Sequence, residues 1–374
     1  MADKHLHIVC LDVPYPVDYG GVFDLFYKIK ALHALGILIH LHCFEYGRGR
    51  QTELNNFCST VDYYERIKIY NSLPLRLPYI VSSRADPALL KNLLKDEHPV
   101  LLEGIHCTYF LSTGALKNKK VFVRLHNVEY QYYEELARST SNIFKKLYFS
   151  NESRLLKKYE KLIAPRAIFI AVSQNDKNTY EENFDVREIR YLPVFLPFTE
   201  VQAEEGSGDF CLYHGNLSVP ENEKAVVWLM ENVFHNLDIP FVIAGKNPPK
   251  YLETIAHRNE YMCVVANPTE KEMEDLIKKA HIHVLPSLNN TGIKIKLLHA
   301  LFNGRFILTN LGAVKNSGLE IFCEVAESPL EYKKMLQKLF KATFTGEIIT
   351  KRKKILESVY NNHENARRLI QWIC

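Results

Sequence analysis

The fold is decided by the stretch HIHVLPSLNNTGIKIKLLHALFNGRFILT, residues 281–309. It contains a short apolar run, a small polar turn, a helix and a second short apolar run. The helix is predicted from Ile293 to Leu301, where apolar residues recur at helical spacing, and Asn303-Gly304 ends it. The stretch therefore predicts a parallel strand–helix–strand unit, the building block of a doubly wound α/β fold.

Two lysines, Lys294 and Lys296, are predicted to lie in the first turn of this helix. Lysines are unfavourable there unless an anion balances them, because the free N–H groups already make a helix start positive. A bound phosphate would supply that balance. The stretch alone leaves open the alternative of a surface turn with two solvated lysines.

Composition excludes several classes of protein. The chain has 374 residues, 47% of them hydrophobic and 24% charged, which suits two folded α/β domains. A net charge of +4 is too small to argue for nucleic acid. Eight scattered cysteines without a C-x-x-C pair favour free thiols and a cytoplasmic location. We find no signal peptide and no apolar stretch long enough to span a membrane.

Paired glycines, Gly20 and Gly21, separate the first predicted strand (6–13) from a predicted helix (22–35). Glycines at that position let the backbone approach a ligand closely at the positive end of a helix. The pattern is not G-x-G-x-x-G, which disfavours a dinucleotide site. A tight turn without a ligand is the alternative.

His106 and His126 each follow a predicted strand of the N-terminal half. Functional residues of open parallel sheets lie just beyond the carboxyl ends of strands. His126 is the better candidate, because the polar Asn127 and Glu129 flank it and could orient its imidazole.

Two other histidine pairs raise the question of a metal. His40 and His42 lie two residues apart on a predicted strand and share a face, as do His281 and His283. No third ligand with suitable spacing is visible for either pair. We therefore assign no metal.

A long amphipathic helix is predicted over 142–163. Its basic residues are Lys145, Lys146, Arg154, Lys157, Lys158 and Lys161. Such a face is most often merely solvated. Against an anionic membrane it could dock peripherally, with about 1 kcal/mol per basic residue.

The composition changes at LPVFLPFTEVQAEEGSGD, residues 192–209, which predicts a linker. It separates an N-terminal domain, 1–191, from a C-terminal domain, 210–350, each with alternating strands and helices. Ser173 is predicted to cap one helix and Thr269 another. The whole chain is predicted to form two facing Rossmann-like domains with a cleft between them.

Six motifs in this order resemble the retaining glycosyltransferases of the GT-B architecture, the group 1 family usually numbered four. They are the P-x-P and Gly-Gly turn at 14–21, RLHNVEY at 124–130, AVSQ at 171–174, HGNLSVPEN at 214–222, IAGKNP at 243–248, and the segment from Thr269 to Gly304.

The resemblance implies transfer of a sugar from a nucleotide-sugar donor to an acceptor, without a metal or another cofactor. His126 would contact the transferred sugar and is the implied catalytic residue. The implied donor-binding residues are Gly20, Gly21, Ser173, Gly215, Asn216, Gly245, Ser287, Thr291, Gly292, Ile293, Lys294, Lys296 and His299. The final helix, 351–374, would cross back to the first domain.

Three positions depart from the family pattern. Thr291 and His299 stand where the family usually carries two glutamates, and Asn216 replaces a usual basic residue. An imidazole cannot accept from two ribose hydroxyls as a carboxylate can. The expected role is assembly of surface polysaccharide or lipid-linked glycan. The alternatives are a catalytically degenerate sugar-nucleotide or protein-binding subunit and a sugar-nucleotide epimerase.

Overall fold

The computed structural model describes residues 4–17, 20–67, 77–140, 142–289, 291–315 and 317–374. The chain forms two compact units. The first holds the chain up to Pro197 together with Thr291–Ile293 and Tyr360–Cys374, and the second holds the rest between Phe198 and Val359. The predicted α/β class with two parallel-sheet, Rossmann-like domains is confirmed.

The first unit is built on a seven-stranded parallel sheet with the order β3-β2-β1-β4-β5-β6-β7. Its strands are β1 Lys4–Cys10, β2 Ile37–Glu45, β3 Thr60–Glu65, β4 Val100–Glu103, β5 Val121–Leu125, β6 Ile168–Ala171 and β7 Glu188–Tyr191. Its helices are α1 Gly20–Ala34, α2 Tyr79–Ser82, α3 Pro87–Leu93, α4 Tyr109–Ser112, α5 Glu129–Ser139, α6 Ile143–Ile163, α7 Gln174–Asn183 and α15 Asn362–Ile373.

Both faces of this sheet are buried, which explains why its central strands are apolar throughout. Leu6 and Ile8 of β1 join a core on the face that α1 and α15 cover, while Val9 joins the core on the opposite face. The side chain of Asn142 accepts from the backbone of Lys145 and fixes the start of α6.

Strand β3 is not evident from the sequence, because residues 45–97 show no clear strand pattern. Val61, Tyr63 and their neighbours pair in parallel with β2, with Tyr63 opposite Cys43. The strand is only partly buried, so its apolar pattern is weak in the sequence. Residues 68–76 of this stretch lie outside the described part of the chain.

The second unit has a six-stranded parallel sheet with the order β10-β9-β8-β11-β12-β13. Its strands are β8 Cys211–Asn216, β9 Phe241–Lys246, β10 Met262–Ala266, β11 Ile282–Val284, β12 Phe306–Thr309 and β13 Glu324–Val325. Its helices are α8 Pro220–Trp228, α9 Lys250–Ala256, α10 Glu270–Lys279, α11 Ile295–Asn303, α12 Leu311–Val314, α13 Pro329–Leu339 and α14 Gly346–Arg352. The stretch 281–309 thus forms β11, α11 and β12, as predicted, with β11 and β12 parallel.

The C-terminal part of the chain contains a very short strand and an interrupted helix. Strand β13 has only two residues and follows a 3-10 turn, Glu320–Phe322. The single helix expected over 351–374 is interrupted after the π-helical turn Lys353–Glu357. It restarts at α15, where the side chain of Asn361 caps the new helix.

The passage between the units occurs at Pro197, inside the stretch 192–209 predicted as a linker. Leu192 and Phe195 in this stretch are nevertheless fully buried. Within the part of the chain that the structure describes, no helix is both long and apolar enough to cross a membrane.

Candidate active site

His126 follows β5 at the carboxyl edge of the first sheet, where the sequence predicted a functional residue. Its Nε2 lies 3.0 Å from Oε2 of Glu103, the last residue of the neighbouring strand β4. The His126 side chain is 15% exposed and that of Glu103 is fully buried. A carboxylate at Nε2 fixes the ring and leaves Nδ1 as the nitrogen that can meet a ligand.

A buried charge network holds Glu103 in place. Nζ of Lys28 lies 2.7 Å from Glu103 and 2.8 Å from Asp24, one helical turn earlier on α1. The guanidinium of Arg124 binds both oxygens of Asp24, at 2.9 and 3.1 Å. Although burial opposes ionisation, the Lys28 ammonium and the His126 hydrogen bond keep the pKa of Glu103 below its usual value. Glu103 is therefore an ionised acceptor for His126.

Asp24, Glu103 and His126 could also be read as a metal site, because one ligand atom from each lies within 4.8 Å of the others. The cations Lys28 and Arg124 already neutralise the two carboxylates. A divalent ion there would face two buried positive charges at close range. We therefore interpret the group as a positioning network.

Asn127 and Glu129, which were expected to orient His126, are not the residues that contact its ring at Nε2. Glu129 is buried at the start of α5, where its backbone N–H and that of Tyr130 donate to Glu160. Burial, together with the nearby Glu160 carboxylate, raises the pKa of Glu129 to about 8. Glu103 holds the imidazole instead of Asn127 or Glu129, because β4 and β5 are neighbours in the sheet.

His106 is not available as an acid–base group. It is half-buried just beyond β4, and desolvation, aided by the charge of Arg84, lowers its pKa well below the usual value. Its Nδ1 has no hydrogen-bond partner among the residues described.

Three further predicted donor contacts belong to the first unit. Gly20 begins α1 and Gly21 follows it, while Asp18 and Tyr19 of the same turn lie outside the described residues. Ser173 caps α7 as predicted, since its side chain accepts from the backbone of Asp176 at 3.0 Å.

Helix α11 in the second unit begins at Ile295, later than predicted, so only Lys296 of the two lysines lies within its first turn. Lys294 is the N-cap residue and gives no side-chain cap, and the first turn contains no acidic residue. The N-terminus of α11 is therefore positive for two reasons: the partial charge of its backbone N–H groups and the charge of the lysines.

Lys296 is engaged inside the protein. Its Nζ donates to the hydroxyl of Tyr213 and to Oδ1 of Asn222, both at 2.9 Å. Burial and the charge of Lys294 lower its pKa to about 8, against the opposing effect of Glu221. Its ammonium thus links β8 to the start of α8.

Ser287 lies beyond β11 and links that strand to the same region. Its hydroxyl donates to Glu221 at 2.8 Å, and its backbone N–H donates to Asn310 at 2.9 Å. Ser287 and Lys296 therefore both converge on the first turn of α8, which holds Glu221 and Asn222.

Gly215 near the end of β8 and Gly245 near the end of β9 lie where these two strands pack closely. A Cβ at Gly245 would lie 1.9 Å from the carbonyl oxygen of Gly215, so β9 can approach β8 only with a glycine there. The side chain of Asn216 accepts from the backbone and hydroxyl of Ser218 and forms a local turn.

His299 sits in an aromatic cluster. Its ring stacks on Phe198 at 4.9 Å and meets His214 edge-on at 5.9 Å. Burial lowers its pKa to about 4, so the imidazole is neutral near pH 7. A neutral ring fits this position, where a buried carboxylate would need a cation.

The turn before α11 belongs to the first unit. Thr291 is buried, and Gly292 has φ +66°, a left-handed conformation that favours glycine. Ile293 is half-buried. Asn290, part of the same predicted turn, lies outside the described residues.

Several residues that build these sites were missed from the sequence: Asp24, Lys28, Glu103, Glu221 and Asn222. Glu103 could have been found, because it ends a predicted strand and meets the same criterion as His126. Asp24 and Lys28 also left a signal, because they stand one turn apart among the apolar residues of α1.

Comparison with known proteins agrees with this architecture. Residues 208–340 match the family model "Glycosyl transferases group 1". The chain is 27% identical over 327 residues to an uncharacterized 44.6 kDa protein in the cps region of Klebsiella pneumoniae, a match covering 82% of this chain and 83% of that protein.

Solved structures resemble the whole chain at low identity. Sucrose-phosphate synthase from Thermosynechococcus elongatus superimposes with a TM-score of 0.71 and 12% identity, covering 99% of this chain and 98% of that one. Anabaena HepE in complex with UDP and glucose gives a TM-score of 0.65 and 11% identity, with 98% of both chains covered. The chain has the GT-B fold, and the family match over 208–340 supports a glycosyltransferase with that fold.

Proposed function

We propose that this protein transfers a sugar from a nucleotide-sugar donor to a glycan or lipid-linked acceptor, with retention of anomeric configuration. The family match over 208–340 and the GT-B fold support the transfer from a nucleotide sugar. The relative from a cps region supports a role in surface polysaccharide synthesis. We place the reaction in the cytoplasm.

The observation that carries the proposal is the start of α11. Lys294 stands before the free N–H groups of a helix that has no acid in its first turn. A helix N-terminus beside a lysine suits an anion, and a diphosphate would fit there. Lys296 supports the site from within, because it braces Tyr213 and Asn222.

In the reaction, the bond between the anomeric carbon and the diphosphate breaks, and the acceptor hydroxyl forms the new bond on the same face. The acceptor proton leaves with the departing diphosphate. Lys294 and the α11 N-terminus would stabilise the charge that develops on that diphosphate. This role of fixed cations is why we propose a reaction that needs no metal and no other cofactor.

His126 would position the sugar. Its Nε2–H donates to the ionised Glu103, so Nδ1 can accept a hydrogen bond from a sugar hydroxyl. The fixed ring would hold the sugar without losing entropy at the moment of reaction.

The rival proposal is a degenerate binding subunit, which the neutral and packed His299 favours. A His299 with a pKa of about 4 offers no carboxylate for ribose hydroxyls. In that case no sugar would be transferred, whether or not the protein binds the donor.

Thermal unfolding against UDP-, GDP-, ADP-, dTDP- and CMP-sugars, with a chelator present, tests the proposal first. A donor at 100 times its Kd adds about 2.7 kcal/mol of stability, which raises Tm by several degrees. The responding donor is then incubated with lipid-linked acceptors, and the product's anomeric configuration is determined by NMR. A donor sugar that is altered without any acceptor would indicate an epimerase. No change in Tm with any of the nucleotide sugars would favour the degenerate subunit.

We also propose peripheral docking of α6 on an anionic membrane, where acceptor lipids would be found. Three apolar side chains at its start are exposed: Ile143 (59%), Phe144 (80%) and Leu147 (63%). Lys145 and Lys146 lie among them and are exposed as well. Apolar side chains flanked by lysines are typical of helices that lie in a membrane interface.

A further inference from the structure

Three histidines meet at the amino-terminal edge of the first sheet, the edge opposite to that of His126. They are His5 on β1, His40 on β2 and His98, two residues before β4. All three are half-buried. One ring nitrogen from each lies within 4.8 Å of the other two.

The register of three neighbouring strands places them together. His7 of β1 stands opposite His40 of β2 and Val100 of β4. Two residues earlier on β1 and β4, His5 and His98 therefore share the face of His40. Their rings stack, with centroids 4.3 Å apart for His5 and His98 and 5.3 Å for His5 and His40.

We propose that His5, His40 and His98 bind one divalent transition-metal ion, with zinc as the best fit. Zinc–imidazole bonds of about 2.0–2.1 Å separate neighbouring ligand nitrogens by roughly 3.3 Å in a tetrahedron. Nδ1 of His5 and Nε2 of His40 are 3.0 Å apart. Imidazole ligands favour zinc, copper and nickel over magnesium or calcium, which prefer oxygen.

The surroundings orient these ligands. Nδ1 of His40 lies 3.1 Å from the hydroxyl of Thr60 on β3, so it can donate there and leave Nε2 for the ion. Asp96 accepts from the backbone N–H of His98 at 2.9 Å and fixes the segment that carries this ligand. The Asp96 carboxylate also binds His7 at 3.1 Å.

The ion would clamp the amino ends of β4, β1 and β2. It stands apart from the proposed sugar transfer, which uses residues at the carboxyl ends of the strands. Without an ion, the rings of His5 and His98 stack nearly parallel and His5 is hydrogen-bonded to His40. Binding an ion therefore requires the rings to turn about their side-chain torsions until the three nitrogens point at it. The experiment distinguishes these two states of the cluster.

The full chain, prepared without an affinity tag and stripped with a chelator, is loaded with Zn²⁺ and desalted. We expect one zinc per chain by mass spectrometry of the metal, and a Kd measurable by competition with a chromophoric chelator. His98→Gln and His5→Gln should weaken binding at least about 100-fold, the upper range for loss of an outer-shell partner. The control His363→Gln, whose side chain is 56% exposed in the same unit, should change nothing.

Co²⁺ substitution in the unaltered chain gives a readout that does not depend on any variant folding. Intense visible d–d bands of a four- or five-coordinate ion would support the site. Weak six-coordinate bands, or zinc that binds wild type and His98→Gln equally, would overturn it. Turnover of a nucleotide sugar is measured separately and is expected to be the same with and without zinc.

Discussion

Nε2 of His126 lies 3.0 Å from Oε2 of Glu103, and this contact joins a partly exposed imidazole to a buried network of charges. Lys28 binds the other oxygen of Glu103 at 2.7 Å and connects it to Asp24. Burying such groups is costly unless every charge is paired. The network therefore argues for a positioned histidine at this strand end.

Glu103→Gln keeps the size of the side chain but replaces an acceptor with a donor next to Lys28 or His126. We expect kcat/KM for sugar transfer to fall about 10- to 100-fold, since hydrogen bonds to charged groups are worth about 1.5–3 kcal/mol. Urea unfolding should also show lower stability, because Lys28 loses a counterion. Glu134→Gln, on an exposed pair with Arg138, is the control. Equal kinetics in both variants would refute the positioning role.

Lys294→Ala and Lys296→Ala should separate binding from stability. Lys294→Ala should weaken binding of the nucleoside diphosphate about tenfold or more at low salt, with the free protein still folded. Lys296→Ala should lower the free energy of unfolding by about 1–3 kcal/mol, because Tyr213 and Asn222 lose a partly buried partner. Calorimetric titration and urea melts measure the two effects. Unchanged nucleotide affinity in Lys294→Ala would remove the diphosphate assignment.

Stability should depend on the buried carboxyls Glu129 and Glu160. Burial raises their pKa values from 4.5 to about 8 and about 7, so the folded state holds protons that the unfolded state releases. This contribution is complete below pH 4.5 and is lost as pH rises toward 8. For each carboxyl, a difference of one pKa unit between the folded and unfolded states corresponds to about 1.4 kcal/mol of stability.

Glu129→Gln tests that dependence directly. The variant should be more stable than wild type at pH 8 and should match it below pH 4.5, where Glu129 is protonated in both states. Urea melts across this range give the comparison. A constant stability difference at every pH would mean that packing, and not titration, is responsible.

Phe144→Glu combined with Leu147→Glu should weaken docking of α6 on membranes. The two apolar side chains would leave the interface, and two negative charges would oppose an anionic surface. Co-sedimentation with vesicles of phosphatidylglycerol and phosphatidylcholine should show binding weakened at least tenfold, about 1.4 kcal/mol. Ile321→Glu, at another exposed apolar position, should bind as wild type does. Equal binding by all three proteins, or none, would contradict the docking proposal.

Local sequence patterns predicted the individual helices and strands of the second unit's central segment. Apolar periodicity predicted β11, α11 and β12, and side-chain caps at Ser173 and Thr269 appear where their spacing predicted them. These features depend on residues within a few positions of one another, so their pattern is visible in the chain. The rule that function follows strand ends also singled out His126.

Which side chains contact one another depends on the arrangement of the whole sheet. Glu103 and His126 meet because β4 and β5 are adjacent in the sheet, and Arg124 contacts Asp24 although 100 residues separate them in the chain. His5, His40 and His98 come together through strand order, while Lys296 turns inward to Tyr213. Periodicity shows which face of an element is buried, but strand order and register fix its neighbours. Those pairings are set by packing energy over the whole sheet, which no local stretch encodes.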